Sequence, residues 1–210
     1  MFDTEIGKEE TTGWEKLGRR AFLLSAGSAL TGLLVWSLRA PGTVQANASS
    51  EQAQDVTIVE FSDDGKRLKK VKVPKVVKTE DEWRKQLPPS AFSITRHADT
   101  EMAYSGEYWN LHEKGIFRCV CCGNALFSSD TKFDSGTGWP SFWAPIAGEN
   151  VREISDSTFG MIRTAVSCTE CDAHLGHVFD DGPAPTNLRY CMNSASLKFI
   201  ARESTKSNKG

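Results

Sequence analysis

The sequence predicts a mainly β protein, with short antiparallel strands behind a short helical cover. Three observations predict it. From Gly115 onward, apolar runs of a few residues are punctuated by Gly, Ser, Asp and Pro, which is the pattern of strands and tight turns. Before that point, Thr79 and Pro89 supply two helix-start signals. Two Cys-x-x-Cys pairs, Cys119/Cys122 and Cys168/Cys171, each follow a strand-like run, so a single clip can join distant parts of the sheet.

The chain has 210 residues, room for one domain plus extra segments. Hydrophobic residues make up 39% and charged residues 25%, with a formal net charge of -2, the balance of a water-facing globular domain. No Lys/Arg cluster forms a basic patch, which argues against nucleic acid as the main partner.

Residues 1–46 read as an address. Gly18-Arg19-Arg20-Ala21-Phe22-Leu23-Leu24 opens an apolar run to Leu38, Pro41-Gly42 breaks it, and Val44-Gln45-Ala46 offers small residues for a signal peptidase. The paired arginines resemble a twin-arginine (Tat) export signal, which implies a bacterial periplasmic location with cleavage after Ala46. The alternative is an uncleaved membrane anchor, since Ala21 to Leu38 approaches the about 18–20 residues a span requires. Membrane contact is expected only through that segment.

Residues 47–78 form a polar linker, to Asp55, and an added β-hairpin. Val56–Phe61 and Leu68–Val73 flank Asp63-Asp64-Gly65, an Asp-Gly hairpin signal, and the alternating Lys residues of the second run leave one face wet. The hairpin reads as an added sheet edge without chemistry. Residues 79–200 form the main domain. Thr79 with Glu82 is a capping box, Trp83 and Leu87 share the face of the helix that follows, and Pro89 opens a second short helix through Phe92 and Ile94. Tyr104, Tyr108 and Trp109 are expected to pack on the core. Strands are expected over 115–120, 125–127, 151–154, 159–167, 178–179 and 188–200, with a bulge where Ser194-Ala195-Ser196 interrupts the last. Residues 201–210 are a polar tail.

Each Cys-x-x-Cys places two thiols on one turn, and Gly123 permits the left-handed backbone that such a knuckle needs. Two knuckles make a tetrahedral four-thiolate site for a structural Zn²⁺ on Cys119, Cys122, Cys168 and Cys171. Two disulfides, or a redox-active Cys-x-x-Cys, are the competing readings. Cys191 stands apart. In Arg189-Tyr190-Cys191-Met192-Asn193 the alternation of a strand sets a guanidinium, a thiol and a carboxamide on one face, and the nearby cation is expected to favour the thiolate. Gly176 between His174 and His177 can bulge a strand and turn both imidazoles one way, where they are available for acid–base work. Gly138-Trp139-Pro140-Ser141-Phe142-Trp143 puts large aromatics around a turn.

These motifs come together in one resemblance. Ser105-Gly106-Glu107-Tyr108-Trp109, the two cysteine knuckles, Phe133 through Phe142, His174-Leu175-Gly176-His177-Val178-Phe179 and Arg189 through Leu197 stand in the order found in the methionine-R-sulfoxide reductases, the MsrB family, and the similarity runs from about Pro88 to Phe199. The resemblance implies two antiparallel sheets around the site, N-terminal helices, and a zinc opposite the catalytic face. It implies that Cys191 attacks the sulfoxide sulfur and becomes a sulfenic acid. His174 and His177 would bind and protonate the sulfoxide oxygen, Asn193 and Arg189 would orient the site and hold the thiolate, and Trp139 with Phe142 would form the substrate wall. Substrates would be oxidised proteins or peptides, and free methionine-R-sulfoxide. Many relatives carry a resolving Cys before Gly-Trp-Pro, where this chain, like other relatives, has Thr137. An external small thiol or thioredoxin-like donor is therefore expected to regenerate Cys191, with Cys121 a bystander in its knuckle. A zinc-clipped binding module without catalysis, and a thiol–disulfide oxidoreductase using the Cys-x-x-Cys pairs, are the other readings.

Overall fold

The computed structural model describes residues 54–156 and 163–202. The export signal, the start of the linker, the first part of the strand expected over 159–167 and the end of the tail lie outside the described residues. Among the described residues no helix is long and apolar enough to cross a membrane.

The chain begins with β1 (Asp55–Phe61) and β2 (Arg67–Pro74), joined through Asp63-Asp64-Gly65 as an antiparallel pair. Asp55 already pairs with Pro74, so the strand starts inside the expected linker. The hairpin is its own two-stranded sheet and not an edge added to a larger one. The reason lies in Val59 and Phe61, which turn inward onto Ala125, Ile146 and Ala147. Asn150 locks the hairpin there: its Oδ1 accepts from the Val59 N–H at 2.7 Å, and its Nδ2 donates to the carbonyls of Val59 and Ala125 at 2.8 and 2.7 Å.

Helices α1 (Glu80–Gln86) and α2 (Pro89–His97) follow. Thr79 closes the expected capping box: its Oγ1 accepts from the Glu82 N–H, and the Glu82 carboxylate accepts from the Thr79 N–H at 2.8 Å. Such a cap contributes about 1 kcal/mol. Trp83, Leu87, Ala91 and Phe92 bury one side of the pair in the main core.

The rest is β structure. In order come β3 (Gly115–Cys119), β4 (Ala125–Ser128), β5 (Lys132–Phe133), β6 (Ser141–Phe142), β7 (Val151–Asp156), β8 (Arg163–Cys168), β9 (His174–Phe179), β10 (Arg189–Met192) and β11 (Leu197–Ala201). They make a six-stranded sheet, ordered β5-β6-β10-β9-β8-β7, and a three-stranded sheet, ordered β11-β3-β4, with antiparallel pairing throughout. These are the two sheets that the resemblance implied.

Aromatic side chains join them. Phe127 stacks on Phe142 with centroids 4.5 Å apart, and Phe117 meets the same ring edge-on at 5.0 Å. Burying each such ring contributes about 1.5–3 kcal/mol. The expected bulge at Ser194-Ala195-Ser196 is instead a 3₁₀ turn that carries the chain from β10 in one sheet to β11 in the other. Small side chains suit that crossing, because Ser194 and Ser196 are buried and their hydroxyls are used locally: Ser196 Oγ donates to Asn193 O at 2.7 Å, and Ser194 Oγ accepts from the Tyr108 N–H at 3.1 Å.

Candidate active site

β10 lies between β6 and β9, and its register sets Cys191 opposite Ser141 on one side and His177 on the other. Tyr190 and Met192 alternate inward to the core, leaving Cys191 half-buried on the opposite face. On β9 the pairing with β8 skips Leu175, so Val166 pairs with Gly176 and Ser167 with His174. A bulge between the two histidines is expected, and it falls at Leu175, next to the expected Gly176. It brings the His174 and His177 rings to 5.2 Å between centroids. Gly176 is required by proximity: a Cβ there would lie 2.2 Å from the Cys191 carbonyl oxygen.

Hydroxyls surround the sulfur. Thr137 Oγ1 is 3.9 Å from Cys191 Sγ, and Ser135 links Thr137 and Ser141 through contacts of 2.8 and 2.7 Å. Burial pushes the Cys191 thiol up, while Thr137, the Arg189 cation and Ser141 pull it down by less. The sequence-based expectation of a thiolate favoured by its neighbouring cation is thus corrected: the cation acts in the expected direction, and desolvation wins. Arg189 is weakened because its charge is shared. Its guanidinium donates through Nε and an Nη to both oxygens of Asp181, each at 2.8 Å, and lies 4.3 Å above the Phe179 ring.

Asn193 is buried, and its amide is engaged with the main chain, accepting from the Glu101 N–H at 3.0 Å and donating to Leu175 O at 3.1 Å. Trp139 is partly exposed and donates to Glu101 O at 3.1 Å. Phe142 is a correction. It is 0% exposed in the aromatic core between the sheets, so it cannot touch a substrate. It faces inward because it pairs with Tyr190 across β6 and β10, on the core side of the strand that carries Cys191.

Two residues that sequence reasoning missed complete the site. Asp181 holds Arg189. Glu101 accepts from the N–H groups of Ser194 and Ala195 at 2.6 and 3.0 Å and, through its main chain, ties Asn193 and Trp139 together. The Glu101 contacts span 93 and 94 positions and leave no local signal; Asp181 lies eight positions from Arg189 on the far side of a turn.

The second cluster is a candidate metal centre. The Sγ atoms of Cys119, Cys122, Cys168 and Cys171 all lie within 4.8 Å of one another. Cys119 to Cys171 and Cys122 to Cys168 are 3.6 Å apart, close to the about 3.8 Å edge of a tetrahedron with zinc–sulfur bonds of about 2.3 Å. The close contacts run between the two knuckles, and all six cysteines are free thiols, so neither Cys-x-x-Cys forms a disulfide. Each knuckle closes with an N–H donating to the first cysteine's carbonyl, Gly123 to Cys119 at 2.9 Å and Asp172 to Cys168 at 3.0 Å. Gly123 and Asp172 both take left-handed backbone, at φ +85 and 56. Hydrogen bonds from Cys119, Cys122 and Cys171 hold Cys168 well below the ordinary thiol range, and Cys119 is pushed well above it. The donor set fits a soft, tetrahedral dication. Cys168 shares the core side of β8 with Val166, while Ala165 and Ser167 face the cleft beside the histidines, so the cluster and Cys191 occupy opposite faces of the sheet. Cys121 is buried on the cluster side, with Gln86 Nε2 donating to its carbonyl at 2.6 Å.

Fold and site define a two-sheet thiol protein with a four-cysteine clip. The SelR domain family matches residues 87–201, and the chain belongs to that family. Among curated relatives, the peptide methionine sulfoxide reductase MsrB of Herminiimonas arsenicoxydans is 59% identical over 127 residues, 60% of this chain and 93% of the relative. The protein of the same name from Synechococcus sp. (strain RCC307) is 57% identical over 121 residues, 58% of this chain and 89% of its own length. That of Acinetobacter baumannii is 54% identical over 129 residues, 61% of this chain and 93% of its own length.

Proposed function

We propose that the chain is a peptide methionine sulfoxide reductase specific for the R epimer, with Cys191 as its nucleophile. The observation that carries the reading is a half-buried thiol set by strand register directly opposite His177, with His174 beside it. The relatives' shared name supports the reaction class.

In this reading the Cys191 sulfur attacks the sulfoxide sulfur. The thiol proton passes to the imidazole pair as the sulfur attacks, and the sulfoxide oxygen takes one proton back from that pair and ends as the hydroxyl on Cys191. Methionine leaves, reduced by two electrons, and Cys191 is left as a sulfenic acid, oxidised by two. Arg189, the Thr137 hydroxyl and the Ser141 hydroxyl stabilise negative charge at the sulfur as it develops. Trp139 walls the S-methyl group, and Asn193 and Glu101 fix the turn after Cys191. Two external thiols then return Cys191 to the thiol, yielding one disulfide and one water. Thr137 stands beside Cys191 where many relatives place a resolving cysteine, which supports an external donor, either a small thiol or a thioredoxin-like protein. Zn²⁺ on Cys119, Cys122, Cys168 and Cys171 would supply a structural clip and no chemistry at Cys191.

The domain plan belongs to the same proposal: a twin-arginine signal over 1–46, a linker and hairpin over 47–78, the catalytic domain over 79–200 and a tail over 201–210. Arg19 and Arg20 direct export to the periplasm, where oxidised proteins are the substrates.

The test is turnover of a peptide carrying methionine-R-sulfoxide, with the S epimer alongside, under dithiothreitol and with Cys191→Ser as control. Reduction of R alone, abolished by the substitution, is the expected outcome. No turnover of either epimer by folded, zinc-loaded protein would favour a binding module. Trapping the substrate-oxidised protein and finding Cys191 in an internal disulfide would overturn the external-donor route.

A further inference from the structure

We infer that the cleft beyond His177 binds the polypeptide on one side of the reacting methionine sulfoxide, with Ile154 receiving an apolar side chain about four residues away along an extended substrate. This deepens the reductase reading and rests on it.

The inference comes from register. Cys191 pairs with His177, His177 with Ala165, and Ala165 with Ile154, so four side chains form one row across β10, β9, β8 and β7 on the same face. Neighbouring strands are about 4.8 Å apart, which puts Ile154 about 14 Å from Cys191. An extended peptide advances about 3.3 Å per residue, so this distance is covered in about four residues. Its side chains alternate, so the fourth faces the sheet on the same side as the sulfoxide.

From His177 outward the row lines a cleft of ≈ 920 Å³ between the sheet and the C-terminal end of α2, with His174, Ala165, Ser167 and Ile154 in its wall; Cys191 is the next side chain in the row, paired with His177 beyond the cleft lining. Pockets for whole drug-sized ligands occupy about 300–1,000 Å³, so a cleft of this size next to Cys191 has room for several flanking residues. Small residues floor the middle, where main chain would pass, and the far end carries Ile154, 44% exposed.

Charges around the cleft are engaged, Asp99 only by accepting from the Ser93 hydroxyl and the Thr100 N–H. Arg96 donates to Cys171 O at 2.9 Å and covers the Trp83 ring, Asp172 pairs with Lys75 and Arg152, and His97 pairs with Glu80. The far end therefore favours a neutral apolar side chain over a charged one.

The test uses nonapeptide-scale substrates with one methionine-R-sulfoxide and either Leu or Asp four residues before or after it, alongside N-acetyl-methionine-R-sulfoxide. In one of the two positions the Leu peptide is expected to show about tenfold higher kcat/KM. Ile154→Lys is expected to reverse that preference and Ile154→Thr to flatten it, with N-acetyl-methionine-R-sulfoxide turned over as in the unaltered protein. Equal kcat/KM for Leu and Asp peptides, or a preference that survives both substitutions, overturns the cleft assignment while leaving the reductase reading intact. Failure of the unaltered protein to reduce any of these substrates, peptides included, overturns the reductase reading, and the cleft assignment with it.

Discussion

Cys191 illustrates a contest between burial and charge. Desolvation raises its thiol above the ordinary range, and Thr137, Arg189 and Ser141 recover part of the shift. A raised pKa means that the free protein carries the neutral thiol near pH 7. Its alkylation by iodoacetamide should therefore climb with pH, with a midpoint above that of an unperturbed cysteine. Asp181→Asn should lower that midpoint, because Arg189 would no longer share its charge with a carboxylate, and Arg189→Met should raise it. An alkylation midpoint unmoved by either substitution would remove Arg189 from the electrostatics of the sulfur. Glu101 acts differently. Its carboxylate satisfies two N–H groups in the turn after Cys191, and hydrogen bonds to a charged group are worth about 1.5–3 kcal/mol. Glu101→Ala should lower both the melting temperature and kcat, and Glu101→Gln, which keeps one acceptor and sets its NH₂ against the other N–H, should recover only part of the stability. Unchanged melting for Glu101→Ala would show that the turn holds itself.

Strand pairing explains why the site is so sensitive to one glycine. The β9–β10 ladder sets Cys191 against His177, and Gly176 faces the Cys191 carbonyl at a distance that excludes a Cβ. Gly176→Ala must push the two strands apart. Overpacking of this kind costs about 1–3 kcal/mol, and here the displaced atoms include the main chain of Cys191. Activity should fall by more than the loss of folded protein accounts for, measured as kcat in the fraction shown folded by circular dichroism. Normal kcat would mean that the ladder absorbs the methyl group elsewhere. Such elements also mark what was legible in the sequence. The hairpin, the capping box, the proline that opens α2, the knuckles and the histidine bulge are all written within a few neighbouring residues, and they were readable. β5 and β6 span two residues each, too short for any period. Aromatics around a turn look alike from either side in a sequence, so Phe142 reads as a substrate wall there; only its pairing with Tyr190 shows which way it faces. The crossing at Ser194–Ser196 reads as a bulge in the sequence because a change of sheet is a tertiary fact. Glu101 and Asp181 act across the fold and had no neighbour in the chain to announce them.

The molecule as a whole is held by two different ties between its sheets. One is the aromatic core of Phe117, Phe127 and Phe142. The other is the cysteine cluster, which joins the turn after β3 in the three-stranded sheet to the turn after β8 in the six-stranded one. The helices rest on this second tie, through Gln86 on Cys121 O and Arg96 on Cys171 O. Cys122 and Cys168 are 46 positions apart, and closing a loop of that size removes about 4 kcal/mol of unfolded-chain entropy if the tie behaves as a cross-link. For a domain of this size each kcal/mol moves the melting temperature by about 2–4 °C, so extracting the proposed Zn²⁺ should lower it by about 8–16 °C. Cys168→Ser should act in the same direction and should abolish metal retention through gel filtration. The site lies on the other face from Cys191, so restoring Zn²⁺ should restore melting and activity together, and thiol reagents that modify Cys191 alone should leave the metal content unchanged. A melting temperature indifferent to verified metal loss would assign the whole of the sheet-to-sheet stability to the phenylalanine core.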